Sequence, residues 1–306
     1  MSPPKVSILV LNWNKKDMTI ECIDSLKKIK YPNYEILVID NGSTDGSYRA
    51  FKKMGDIKTV QTGKNLGYTG GNNAGMRKAK GDYVLVLNND VIVDPDFLNE
   101  LVRAAESDPQ IGIVGPKVYY NHKKNVIFSA GGYTSKIMGL GILIGLNKID
   151  RGQYEKQKKV NMIPGCCMLI KRKVLDKVGY FDDNFYIYFD EMDYCLRAID
   201  SGFKCVYVPK SVIWHKVAGS TGDRDDGNYI YKPNKFRAYY VTRNRLYLID
   251  KHANLLEKLL FLPWFVWLNA VSLVIYSATL KFDISKAILK GIRDNALNNM
   301  GKSKEF

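Results

Sequence analysis

Residues 83–90 read Tyr83-Val84-Leu85-Val86-Leu87-Asn88-Asn89-Asp90. Five apolar residues without polar alternation mark a strand buried on both faces, and the polar stop that follows carries a single carboxylate, Asp90. The same pattern recurs upstream at residues 6–11, 34–39 and 57–61. Between these runs the period changes. Residues 17–28 carry apolar side chains at helical spacing (Met18, Cys22, Leu26), with Ile29 next in line. Residues 41–46 are a turn with capping residues before a short helix, and a Gly/Asn-rich loop opens a helix ending near Lys80. Strand and helix alternating four times in ninety residues predict an α/β fold, a mostly parallel sheet with helices on both faces. Ligands bind such sheets at the carboxyl ends of the strands. Asn12, Asp40, residues 63–67 and residues 88–90 all fall at those ends.

Beyond residue 110 the pattern is that of a mixed sheet. Residues 112–120, 126–133 and 160–170 read as strands, residues 173–178 as a short helix, and residues 139–145 as a Gly-rich mobile loop. A second acidic cluster, Asp190, Glu191 and Asp193, opens a helix over residues 190–201, where acids suit the helix dipole. Another apolar strand, residues 211–214, ends at Trp214 and is followed by His215, one of three histidines in the chain.

The chain has 306 residues, a net charge of +15 and a pI of about 9.4. That charge predicts an anionic partner. The basic residues concentrate beside apolar sequence toward the C-terminus, which favours a membrane surface over nucleic acid. Five cysteines, an odd number with no CxxC pair, read as buried reduced thiols and not as a structural metal site. The N-terminus runs directly into a strand, so the first 250 residues are expected in the cytoplasm. Residues 259–280 contain no charge, enough for ~33 Å of helix. Basic residues flank both sides of that run. Symmetric flanks predict a re-entrant or interfacial segment at the cytoplasmic face of the membrane; a single span and a helix buried in the soluble domain are the alternatives. Ile284, Ile288, Ile292 and Ala296 recur at helical spacing, so the last helix is amphipathic and basic. Residues 251–306 thus form a helical, membrane-associated tail.

In order along residues 4–250, the segments 6–14, 39–47, 65–68 with 71–75, 87–90, 189–197, 214–215 and 239–244 resemble the inverting glycosyltransferases of family 2, which have the GT-A fold. The subgroup they resemble most is the rhamnosyltransferase-type enzymes, which build cell-surface polysaccharides and lipid-linked glycans. The resemblance implies a nucleotide-binding half over residues 1–110 and an acceptor half over residues 111–250. It implies a UDP-, TDP- or GDP-linked sugar donor, a lipid-linked or glycan acceptor, and Mg²⁺ or Mn²⁺. Asn12, Asp40, Asn65, Gly67 and Asn89 would contact the nucleotide-sugar, with Asp40 on the nucleobase. Alone, Asp40 before Asn41-Gly42 is a turn former. The glycines would let backbone N–H groups and a helix start approach a phosphate. The family's metal motif is written DXD; here only its last position, Asp90, keeps a carboxylate, and His215 would complete the metal shell.

The second acid of the later cluster is the family's general base, usually Asp. That position is Glu191 here, with Asp190 as fallback and Asp193 orienting the acceptor or a loop. Arg243 and Asn244 would clamp the diphosphate or a lipid phosphate, or Arg243 is an interfacial arginine beside the membrane segment. Two further functions stay open. A nucleotidyltransferase shares a sheet-end nucleotide site but wants a Gly-rich loop where residues 12–16 have no glycine. A catalytically degenerate nucleotide- or glycan-binding module is suggested by Asn88 and Asn89 in place of acids. A hydrolase is disfavoured by the nucleotide-side loops.

Overall fold

The computed structural model describes residues 2–217 and 234–305; residues 218–233 of the expected acceptor half lie outside it. The chain begins as β1 (Val6–Asn12), α1 (Lys16–Leu26), β2 (Tyr34–Asp40), α2 (Ser47–Lys52), β3 (Lys58–Gln61), α3 (Gly67–Met76) and β4 (Tyr83–Asn88). It continues through β5 (Val91–Val93), α4 (Phe97–Glu106), β6 (Ile111–Tyr120), β7 (Val126–Ser129), β8 (Gly132–Ser135), β9 (Leu140–Leu143), β10 (Lys148–Ile149), β11 (Lys158–Val160) and β12 (Cys167–Lys171). The rest is α5 (Arg172–Val178), α6 (Asp190–Asp200), β13 (Lys204–His215), α7 (Lys235–His252), α8 (Leu255–Ala278) and α9 (Phe282–Ala296).

The first four strands are parallel, in the order β4-β1-β2-β3. Their register sets Asn12 beside Asp40 and Leu11 beside Asn88, so the polar residues that end each strand share one edge. Alternate side chains feed two cores. Val6, Ile8, Val10, Leu85 and Leu87 meet Cys22 and Leu26 of α1 on one face. Leu9, Leu37, Ile39, Val84 and Val86 meet Met76 of α3 and Tyr194 of α6 on the other. Continuous apolar runs follow from having a helix layer on both sides. β12 joins β4 antiparallel, and β6 and β7 follow. β13 runs parallel to β6 and antiparallel to β5, with His215 opposite Val91. That pairing carries His215 to the edge where β4 ends.

Several elements differ from the sequence reading. Residues 126–133 are not one strand: β7 stays in the main sheet, while β8 turns at Gly131 (φ +83°) into a separate hairpin with β9. Residues 139–145, expected as a mobile loop, hold β9 and are pinned. A Cβ on Gly139 would lie 2.7 Å from both Arg245 and Phe261, and the Trp264 indole donates to the Met138 carbonyl at 3.3 Å. Residues 160–170 break at Pro164-Gly165 into β11 and β12. All five cysteines are buried and free.

The Ile284/Ile288 stripe of α9 does not face outward. It packs on Ala238, Tyr239 and Tyr240 of α7, where Gly291 permits close approach to the Tyr239 carbonyl. A one-face apolar stripe reveals that a helix has a partner, not which partner. The division at residue 250 therefore falls inside one helical layer, α7 to α9. Within it α8 is the one described helix long and apolar enough to cross a membrane. One side of α8, Phe261, Phe265 and Asn269, is buried, against Ile249 and Ile292 among others. The other side leaves Leu259, Leu262, Val266, Trp267 and Val274 exposed.

Candidate active site

The strand ends are tied into one hydrogen-bonded row. Asn89 Nδ2 donates to Thr19 Oγ1 at 2.8 Å, and Thr19 donates to Asn12 Oδ1 at 2.7 Å. Asn12 Nδ2 then donates to Asp40 Oδ1 at 3.2 Å and to Ser43 Oγ at 3.0 Å. Asn12, Thr19 and Asp40 are fully buried. Asp40, expected on the nucleobase, and Asn12, expected against the nucleotide-sugar, thus lie one layer below the cavity described next and hold its floor. Thr19 was not singled out in the sequence, where it is one polar position in a helix.

Two cavities open above this floor. The larger, about 670 Å³, is lined by Trp13, Asn41, Asn65, Gly67 and Asn89, with Lys15, Lys235 and Lys302. The smaller, about 420 Å³, is lined by Asp190, Glu191 and His215 and by the apolar side chains of Leu143, Met162, Met192 and Val241. The two share Tyr68, Asn88, Asp90 and Ile187. Asp90 therefore stands where they meet. His215 Nε2 lies 3.0 Å from Asp90 Oδ1, and both side chains are nearly buried. One imidazole nitrogen facing one carboxylate oxygen fits a divalent cation such as Mg²⁺ or Mn²⁺ whose other positions are filled by ligand oxygens. Among the described residues no cluster of three His, Cys, Asp or Glu side chains forms a self-sufficient metal cage.

The glycine loop works differently from expectation. The amides of Tyr68 and Thr69, at the start of α3, donate to the Tyr186 carbonyl at 2.8 and 3.2 Å. Leu66 N donates to Asn41 Oδ1 and Gly67 N to Asn65 Oδ1. These donors are spent inside the protein and are not free for a phosphate. Gly67 (φ +76°) is required by the close approach of Tyr186, whose ring would lie 2.3 Å from a Cβ at residue 67.

Tyr186 belongs to a strained bend. Tyr186, Tyr188 and Phe189 all have positive φ, a costly arrangement for non-glycine residues that needs support from its surroundings. Arg243 and Asn244 supply it. Asn244 Nδ2 donates to the carbonyls of Phe185, Ile187 and Tyr188 at 2.9, 2.8 and 3.1 Å. Arg243 donates to the carbonyls of Asn184, Phe185 and Gly301 and to Asn244 Oδ1. Both side chains are fully buried. Neither is placed to clamp a diphosphate or to sit at a membrane interface; they hold the bend that delivers α6.

At the start of α6 the three acids have separate environments. Asp193, expected to orient the acceptor or a loop, is fully buried and away from both cavities. Its carboxylate binds Arg197, His252 and Lys251, each at 2.8 Å, and ties α6 to α7. Burial alone would raise its pKa, but the bond from His252 and the Arg197 and Lys251 charges outweigh that and lower it to about 2. Asp190 Oδ2 is buried with no hydrogen-bond partner. Burial first, then the nearby Glu191 charge, pushes its carboxyl well above the usual range. Burial also raises Glu191, which lines the smaller cavity.

A stability consequence follows for Asp190. Its native pKa lies above the unfolded value of ~3.9, so the unfolded state releases the proton first and native stability falls as pH rises past that value. Asp190→Asn should therefore melt at a higher temperature relative to the native protein at pH 8 than at pH 4. Thermal melts at the two pH values check this, and an equal difference at both would contradict it.

A family model for glycosyl transferase family 2 matches residues 7–179, more than half of the chain. The chain belongs to glycosyl transferase family 2. It is 29% identical over 240 residues to an N-acetylglucosaminyl-diphospho-decaprenol L-rhamnosyltransferase of Mycobacterium tuberculosis, covering 71% of this chain and 75% of that one. It is 27% identical over 197 residues to the low-salt glycan biosynthesis hexosyltransferase Agl10 of Haloferax volcanii, covering 63% and 61%. The chain spans between 18% and 75% of the length of such relatives. The mannosyltransferase PcManGT from Pyrobaculum calidifontis, solved with GDP-Man and Mn²⁺, superposes over 96% of this chain and 88% of its own, with a TM-score of 0.57 at 16% identity. That likeness shows the GT-A fold. Thr19 and Lys302 were found through their contacts and give no local sequence signal.

Proposed function

We propose that the chain is an inverting glycosyltransferase that moves a sugar from a nucleoside-diphosphate donor to a lipid-linked acceptor at a membrane surface. The observation that carries this reading is the meeting of two cavities at Asp90, one lined by Lys15, Lys235 and Lys302, the other by Asp190, Glu191 and Arg237. The larger takes the nucleotide and the smaller the acceptor. Asp90 and His215 would hold a divalent cation where the two cavities meet. Bound there, Mg²⁺ or Mn²⁺ would neutralise charge on the departing diphosphate. Glu191 accepts the proton of the acceptor hydroxyl as its oxygen bonds to the anomeric carbon. The bond to the diphosphate breaks on the opposite face and the electron pair leaves with the nucleotide, which inverts the centre. The named relatives, a rhamnosyltransferase for a decaprenyl-diphosphate-linked sugar and a glycan hexosyltransferase, support this class of donor and acceptor. Calorimetry with UDP-, TDP- and GDP-sugars, with and without Mn²⁺, tests it. Metal-strengthened binding of at least one is expected, and no binding of any would overturn the reading.

The membrane contact belongs to α8. It lies along the protein from Phe261 to Tyr276, packed against α7, α9 and the β8–β9 hairpin. Its outer side is apolar from Leu259 to Ile275, about 25 Å of helix. This favours an in-plane helix over a single span. The hairpin also reaches the smaller cavity through Gly141 and Leu143, a route from the membrane plane to the acceptor site. Val266→Glu with Val274→Glu should move most of the protein from the membrane pellet to the supernatant while nucleotide binding persists. Unchanged sedimentation would remove α8 as the contact.

A further inference from the structure

The larger cavity has an unexpected wall. Lys302 lines it, although it lies beyond the last helix and 237 residues from Asn65, whose carbonyl its Nζ meets at 3.3 Å. The segment that carries it is fixed on both sides. Gly301 N donates to the Asn184 carbonyl at 2.8 Å, and Arg243 donates to the Gly301 carbonyl at 2.7 Å. Ser303 is buried, and its N donates to the Tyr240 hydroxyl at 2.9 Å. Tyr240 in turn stacks on Tyr186 of the strained bend, 5.2 Å between ring centres. A backbone held at residues 301 and 303 fixes the point from which the flexible lysine side chain starts, at the wall of the larger cavity. Its bond to one neutral carbonyl oxygen is long and readily exchanged for an anion.

Charge at the cavity points the same way. Among the described residues three lysines, Lys15, Lys235 and Lys302, line it against one carboxylate, Asp90, with Asn88 and Asn89 neutral beside it. A cavity so lined selects an anion, and an ammonium on a fixed backbone is a point charge suited to phosphate. We propose that Lys302 is a ligand of the donor's diphosphate, carried to the site by the C-terminal segment and held there by the same Arg243 that supports the bend before α6. The proposal rests on the reading of the larger cavity as the nucleotide site.

Calorimetry on the full-length protein with UDP, TDP and GDP in the presence of Mn²⁺ tests both, and the two can fail separately. If the native protein binds none of the three, the nucleotide reading fails and this proposal with it. If it binds, Lys302→Gln should weaken the diphosphate about tenfold and flatten the salt dependence of binding, with Lys302→Arg retaining most of the affinity. The melting temperature should not change, because the side chain is exposed. Lys304→Gln, an exposed lysine two residues on that does not line the cavity, serves as the control. Native affinity in Lys302→Gln, or equal weakening in Lys304→Gln, would overturn the assignment.

Discussion

Glu191→Gln is expected to lower transfer by on the order of 10²–10⁴-fold, the range for loss of a general base, while donor affinity stays near that of the native protein. Glutamine keeps the size and the hydrogen-bonding reach of the side chain and removes its basicity. Glu191 lines the smaller cavity only, so the nucleotide contacts in the larger one are untouched. Burial raises the Glu191 carboxyl above its ordinary value, so the ionised base is lost at a higher pH than for a solvent-exposed glutamate. The acid limb of the rate–pH profile should accordingly lie above ~4.3, and it should vanish in Glu191→Gln. Steady-state rates from pH 4 to 9, with donor binding measured in parallel, check both points. If Asp190→Asn abolishes transfer and Glu191→Gln does not, the base is the neighbouring residue. The burial of Asp190, whose Oδ2 has no hydrogen-bond partner and whose carboxyl is pushed well above the usual range, argues against that outcome.

Asp90→Asn should lower transfer by roughly two to three orders of magnitude, the scale of several kcal/mol of charge stabilisation on a leaving diphosphate. Among the described residues Asp90 is the one carboxylate lining the larger cavity, and its partner His215 cannot supply negative charge. The amide can still pair with His215 Nε2, so the fold should survive. Mn²⁺ titration of the residual activity should show a weaker apparent affinity. Full transfer by Asp90→Asn in the presence of EDTA would remove the metal from the account.

The fold was legible in the sequence wherever a local period reported burial. The four apolar runs before residue 90 became parallel strands because each is covered on both faces, and their polar ends share an edge because register follows from that burial. The interruptions of the later strands were also written locally, at Ala130-Gly131 and Pro164-Gly165, but the apolar residues around them masked the breaks. The site was less legible. Asp90 and His215 are 125 residues apart and meet only through the β5–β13 pairing. Gly67 reads as a phosphate-loop glycine, yet it makes room for Tyr186, a residue 119 positions on. Arg243 and Asn244 look like surface cations and amides beside an apolar tail. Only the folded chain shows their donors spent on a strained backbone. The α9 stripe shows the same limit, since periodicity says that a face is covered and leaves the covering surface unnamed.

The most direct test of the central claim is the anomeric configuration of the product. The native protein, Mn²⁺, a nucleoside-diphosphate sugar and a polyprenyl-diphosphate-linked acceptor should yield a glycoside whose anomeric proton signal in NMR shows configuration opposite to that of the donor, with one nucleoside diphosphate released per bond formed. A product with retained configuration would contradict single displacement assisted by Glu191, and no release of nucleoside diphosphate from any UDP-, TDP- or GDP-linked donor would contradict sugar transfer at this site.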